Sequence, residues 1–115
     1  MAEQGKVISI IESQIKGFVE EIRPLEEDRD QIDIVYEYTN NILIISEKRP
    51  RYDKEGEYGE YPFVKTRFFK TRGVWAIYWM RASGNWEKYQ PALEVDTITD
   101  FFKIVKEDEY SCFFG

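Results

Sequence analysis

IDIVYEYTNNILIISEKR, residues 32–49, is the stretch whose reading decides the fold. An extended chain sends successive side chains to opposite sides, so residues two apart share a face. Ile32, Ile34, Tyr36 and Tyr38 therefore line one side, and Asp33, Val35 and Glu37 the other. Thr39-Asn40-Asn41 supplies a tight turn, because asparagine tolerates positive φ. The return strand places Leu43, Ile45, Glu47 and Arg49 on one side and Ile42, Ile44, Ser46 and Lys48 on the other. On either side the apolar residues come first and the charges last, so the strand leaves the core after Ile45. Pro50 lacks an amide donor and ends the pairing. The whole stretch is a β-hairpin.

Working outward, residues 6–23 form an amphipathic helix. Ile8, Ile11, Ile15, Phe18 and Ile22 recur at spacings of three and four, with Val19 widening the stripe. Glu12, Lys16 and Glu20 make successive i,i+4 pairs on another face. Pro24 stops the helix. The stripe lasts barely two heptads, too short for a coiled-coil seam, and so it packs on a sheet. Residues 25–31 are a charged connector. Downstream, residues 52–62 carry two glycines, a proline and no aliphatic residue, the composition of a long exposed loop. Strands follow at about 63–70, 74–81 and 86–89, joining those at about 32–38 and 41–49. VWAIYWM (74–80) has no polar residue, which implies a strand covered on both faces. Thr97, with Asp100 three residues on, opens a second helix at about 98–108, whose stripe is Ile98, Phe101, Phe102 and Val105. The apolar tail EYSCFFG tucks back onto the sheet. Residues 1–115 thus read as a single α+β domain: a meander antiparallel sheet of about five strands packed with an N-terminal and a C-terminal helix.

Composition agrees. A chain of 115 residues with 43% hydrophobic and 17% aromatic content is long and apolar enough to fold around a core. Cys112 is the only cysteine, so no intramolecular disulfide exists, and no stretch is long and apolar enough for a membrane span. A cytoplasmic protein without membrane contact is the expectation. The net charge is −6, unevenly spread. Residues 48–89 carry ten Lys/Arg against five Asp/Glu, whereas residues 1–47 carry four against eleven and residues 90–115 two against six. Acidic flanks folding back onto the basic middle are the simplest arrangement.

Within that basic middle lies the candidate site. Lys65 and Arg67 share a face of one strand, and Trp75, Ile77, Trp79 and Arg81 a face of the next. If pairing sets Glu47, Arg49, Arg67 and Arg81 side by side, three guanidiniums meet one carboxylate. One ion pair is then satisfied and the surplus positive charge takes an anion, an acidic segment or water. Trp79, Trp86 and Tyr89 would flank the cluster. A solvated sheet face with cross-strand ion pairs accounts for the same residues. Exposed rings beside the arginines would stack on single-stranded nucleic acid or a nucleotide, with Tyr52, Tyr58 and Tyr61 as a lid; a loop of aromatics rimmed by acids equally suits a protein partner.

Catalytic chemistry has little to work with. There is no histidine, which removes the usual general base and the commonest zinc ligand. Cys112 among aromatics reads as a buried, inert thiol. Gly56 and Gly59 lie in an acidic loop that repels phosphate. Asp33 with Glu47-Lys48-Arg49 resembles the carboxylate array of metal-dependent nucleases, but Arg49 stands where that array has lysine and cannot serve as a neutral base.

RDQIDIVYEY, EKRPRY, FVKTRF, VWAIYWMRA, WEKY and the terminal EDEYSCFFG together resemble a bacterial family, domain of unknown function 3024. The likeness runs from about Arg23 to Gly115 and leaves helix 1 largely outside. Family members often carry histidine after the tryptophan, where this chain has Glu87. The resemblance implies a small cytoplasmic protein and no assigned activity. The expectation is a non-enzymatic binding or interaction module, with a protein partner or a second copy preferred and nucleic acid or a phosphorylated ligand as the alternative. No catalytic residue, metal or cofactor is expected, and a metal-dependent nuclease ranks last.

Overall fold

The computed structural model of the protein describes residues 2–114, with side chains described from Ile10 onward. The turn between the first two strands is what its two asparagines permit. Asn40 and Asn41 have φ of 53° and 65°, a mirror-image turn whose twist matches that of the strands it joins. These strands, β1 (Asp33–Thr39) and β2 (Ile42–Pro50), pair antiparallel from Thr39↔Ile42 to Asp33↔Lys48. The meander continues through β3 (Tyr58–Phe69), β4 (Val74–Met80) and β5 (Trp86–Lys88). A two-residue strand, β6 (Glu94–Val95), pairs with β4 further along, at Trp75 and Ala76. All pairings are antiparallel, in the order β1-β2-β3-β4-β5. The helices α1 (Ala2–Ile22) and α2 (Ile98–Glu107) come from the two ends of the chain, so the fold is α+β. Among the described residues no helix is long and apolar enough to cross a membrane.

Both helices lie on one face of the sheet. From α1, Ile15, Phe18 and Val19 are buried, with Ile11 and Ile22 at the margin; the Ile8 side chain is outside the described residues. From α2 come Ile98, Phe101, Phe102 and Val105, and Phe18 stacks on Phe102 with ring centroids 4.3 Å apart. They meet Ile34, Leu43, Ile45, Val64, Trp75, Ile77 and Tyr89, which the register sets on one side. Thr66 is fully buried there, and its hydroxyl donates to the Ala76 carbonyl at 2.8 Å, so it leaves no unmet polar group. The expected cap is present: Thr97 accepts from the Asp100 amide at 3.1 Å. Glu20 pairs with Arg23 at 2.8 Å. The tail does fold back. Asp108 takes φ 40° at the end of α2, and its carboxylate accepts from the Phe113 and Phe114 amides at 3.0 and 2.9 Å. This sets Phe113 on Tyr89 and Phe114 on Phe63.

Three expectations are corrected. The long loop over 52–62 is shorter, because β3 begins at Tyr58 and pairs back to Pro50. Gly59 and Pro62 argued against a strand, yet Tyr61 folds its ring over Gly59, where an added Cβ would stand 2.7 Å from the hydroxyl oxygen. Covering a strand glycine with a nearby ring is a known way of keeping it extended. Pro62 lies past the last β3–β4 pair, Val64↔Trp79, so β3 is by then an edge strand and tolerates proline. A register shift at Ile45/Ser46 inserts Phe63 as an extra residue, and Phe63 and Val64 are consequently both buried. Next, Ser46 is buried on the helix-free side, opposite Val35 and Pro62, so β2 stays out of water one residue longer than its composition implied. Finally, β4 is covered by helices on one face only. Val74, Tyr78 and Met80 point to the other face and are half-buried by neighbouring side chains.

Candidate functional site

The register decides which charges meet. Reading across the helix-free face, one row of partners runs Ile44, Lys65, Tyr78, Lys88; the next runs Ile42, Arg67, Ala76, Glu94. Met80 and Trp86 pair beyond Tyr78, and Phe69 and Val74 beyond Ala76. Each large ring on this face carries a cation. Lys65 Nζ lies 4.6 Å from the Tyr78 ring centre and 5.0 Å from that of Trp86, bridging the two. Arg67 and Arg72 both stand over Phe69, at 4.8 and 5.0 Å. Lys48 stands over Tyr58 at 5.2 Å. Such contacts use the negative face of the ring in place of a carboxylate. Among the described residues, Lys48, Lys65, Arg67 and Lys88 have no carboxylate within ion-pair distance, and only Arg72 on this face has one, Glu94 at 2.7 Å. Burial holds the Lys65 ammonium below its ordinary pKa, and the Arg67 guanidinium adds to the effect. The face therefore presents cations that are desolvated or ring-bound yet not neutralised. Of the basic middle's cations, acids of the flanks neutralise two: Arg49 through Glu47 and Arg72 through Glu94.

The residues singled out from sequence divide between the two faces. Arg67 and Trp86 lie on the helix-free face. Glu47 and Arg49 lie on the other and pair with each other. Arg81 follows the end of β4, with Nη1 2.9 Å from Glu87 Oε2 and its guanidinium 5.9 Å from the Trp79 ring centre. That approach lies off the N–H direction, so the pair is a Coulombic contact and the enclosed Oε2 accepts no directed hydrogen bond. Trp79 packs against the core, and Tyr89 is buried in it. The three guanidiniums do not converge. Arg49 sits opposite Gly59 at one end of β3, Arg67 opposite Ala76 near the other, and on opposite faces. Lys65, Phe69, Ala76 and Tyr78 complete the cation–ring face. Strand alternation already joined Lys65 to Arg67; the partner across β4 needed the register.

The carboxylates of the nuclease-like pattern also separate. Asp33 pairs with Lys48 and Ile34 with Glu47, so Asp33 and Glu47 project to opposite sides. Asp33 is engaged elsewhere: Arg23 donates from Nε and Nη2 to its two oxygens, both at 2.9 Å, and the Ile34 amide donates to Oδ1 at 2.8 Å. The guanidinium holds this carboxyl below the ordinary aspartate pKa. Among the described residues no three acidic, histidine or cysteine side chains are grouped to hold a metal. The tyrosines expected as a lid are dispersed as well. Tyr52 is wholly exposed, Tyr61 lies over Gly59, and the Tyr58 hydroxyl donates to the Asp30 carbonyl at 3.2 Å. Burial pushes the Cys112 thiol up, away from the reactive thiolate.

No curated protein and no solved structure matches the chain. A family model described as a domain of unknown function (DUF3024) matches residues 4–115. That span takes in α1, which the motif likeness had left outside. Its reach across helices and sheet alike makes the assignment plain: the chain belongs to the family of domains of unknown function DUF3024.

Proposed function

We propose that the protein is a non-enzymatic binding module that holds single-stranded nucleic acid on the helix-free face of its sheet. One observation carries the reading. Lys65 is lodged between the Tyr78 and Trp86 rings, with Arg67 and Lys88 beside it and no carboxylate on any of the three among the described residues. Cations of this kind take phosphates, and rings on an open sheet take bases by stacking. The chain is acidic overall, so attraction to a polyanion has to come from a local surface of this sort. A second copy fits the same face poorly, since apposing two of them would set Lys65, Arg67 and Lys88 against their own counterparts. A cytoplasmic location goes with the reading, supported by the single cysteine.

Fluorescence anisotropy with labelled single-stranded DNA and RNA at several salt concentrations tests it. With three or four phosphates neutralised, the slope of log K against log salt should be roughly −2 to −3. Lys65→Glu should abolish binding. Absence of salt-sensitive binding to either polymer refutes the proposal.

A further inference from the structure

β1 borders the sheet, with β2 as its one neighbour among the described residues. The hairpin fixes which of its backbone groups are left over. The two-residue turn at Asn40 and Asn41 makes Thr39 and Ile42 a hydrogen-bonded pair, and bonded and non-bonded pairs alternate from there. Asp33, Val35, Glu37 and Thr39 therefore bond to β2, while Ile34, Tyr36 and Tyr38 turn their amides and carbonyls outward. The Ile34 amide is met by Asp33 Oδ1 at 2.8 Å; the other outward groups have no partner among the described residues. Sheet borders are commonly blunted by proline, lysine, a bulge or shortness. β1 is seven residues long, DIVYEYT, pairs with β2 without a bulge, and contains neither proline nor lysine. On the helix-covered side Tyr36 stays 38% exposed, although Ile45 opposite it is wholly buried. A ring and a row of ladder groups thus end at the same open border.

The strand's own sequence says what completes it, because a two-fold axis sets β1 antiparallel to itself. The registers that face outward groups toward one another with most overlap are centred on Val35, Tyr36 or Glu37. Centred on Val35, the strands oppose Asp33 and Glu37 twice. Centred on Glu37, they oppose that carboxylate to its own counterpart. Like charges directly across a ladder are destabilising. Centred on Tyr36, they set Val35 opposite Glu37, Ile34 opposite Tyr38 and Asp33 opposite Thr39, and no like charges meet. Tyr36 then exchanges both ladder bonds with its counterpart. Each Tyr38 amide donates to the second copy's Ile34 carbonyl, and the Ile34 amide keeps Asp33. We infer that β1 pairs with β1 of a second copy in this register, joining two molecules into one continuous antiparallel sheet. Residues directly opposite share a side, so both helix-free faces of the pair look the same way. The inference does not depend on what those faces hold.

Sedimentation velocity of the full chain over a range of concentrations, without nucleic acid, should show a monomer–dimer equilibrium. Tyr36→Pro removes an amide that points away from β2, which a border strand tolerates, and should give a chain that is folded by circular dichroism and monomeric. The register is tested by charge. Val35→Lys sets a cation against Glu37 of the second copy at two places and should tighten the dimer; Val35→Glu should loosen it. With two cross-strand pairs affected, each change should be roughly 2- to 30-fold in dissociation constant. A register centred on Val35 would weaken with either substitution. Single cysteines in a Cys112→Ser background give a second readout. Tyr36→Cys should oxidise to a covalent dimer, since bonded partners stand at a Cα separation of about 5.5 Å, within disulfide reach. Val35→Cys and Glu37→Cys should not, because in this register neither meets its own counterpart. A chain that stays monomeric at its highest soluble concentration overturns the inference. So does a dimer that Tyr36→Pro leaves equally tight, or one that both Val35 substitutions weaken, or one cross-linked through position 35 or 37 in place of 36.

Discussion

The two faces of one sheet solve the same problem in different ways. On the helix-covered face the apolar side chains of β2, β3 and β4 meet Phe18, Phe101 and Phe102, and the buried Thr66 hydroxyl has its acceptor. On the helix-free face Ile44, Tyr78, Met80 and Trp86 are only half-buried, and cations lie on the rings in place of a second layer of chain. A lysine stem covers apolar surface while its ammonium stays at the margin of water. Cover by a helix is permanent; cover by a flexible cation can be moved aside. The contrast separates a face built for stability from one whose contacts remain open to exchange.

The sharpest way to break this contrast is to truncate each side. Phe101→Ala on the covered face should cost about 3–5 kcal/mol in urea unfolding. A loss comparable to that from Tyr78→Ala on the other face would show the two faces to be equivalent. Next comes the clasp that ties β1 to the end of α1. Asp33 has a lowered pKa, so its contribution is full above the ordinary aspartate value of about 3.9 and is lost as pH falls through the value held in the fold. Wild type should therefore exceed Asp33→Asn in thermal stability at neutral pH, and the difference should close on acidification below that value. Thr97→Ala removes the acceptor for the Asp100 amide at the start of α2 and should cost about 1 kcal/mol by the same unfolding measurement. The smallest effect is the most telling for function. Lys65→Met keeps the apolar stem and removes a desolvated charge, and should alter stability by no more than about 0.5 kcal/mol. If it also leaves oligonucleotide binding intact, the helix-free face has no special claim.

Much of the covered face was legible from the chain alone. The hairpin followed from strict alternation over residues 32–38 and two adjacent asparagines, and α2 from Thr97 with its three-four stripe. The start of β3 was hidden, since Gly59 and Pro62 disfavour strands locally and only Tyr61 and the end of the β4 pairing reverse that. β6 is two residues long, too short for any periodic signal. The site was legible by halves. Alternation told which residues of one strand share a side, so Arg67 came with Lys65. It could not tell which side of β2 or β4 they would meet, because a one-residue slip between strands exchanges the faces. For that reason Arg49 and Arg81, read as companions of Arg67, project elsewhere and keep carboxylates of their own.

Between the end of β5 at Lys88 and the start of β6 at Glu94 the chain leaves the sheet, with a consequence for how copies of the chain behave at high concentration. The border opposite β1 is broken into β5, β6 and the Tyr58–Phe63 stretch of β3, itself interrupted by Pro62, leaving β1 among the described residues as the one unbroken row of ladder groups open to another backbone. A polymer of added strands needs two usable borders on every unit. With one, growth by strand addition stops at a pair, and fibrils are avoided without any charge placed to prevent them.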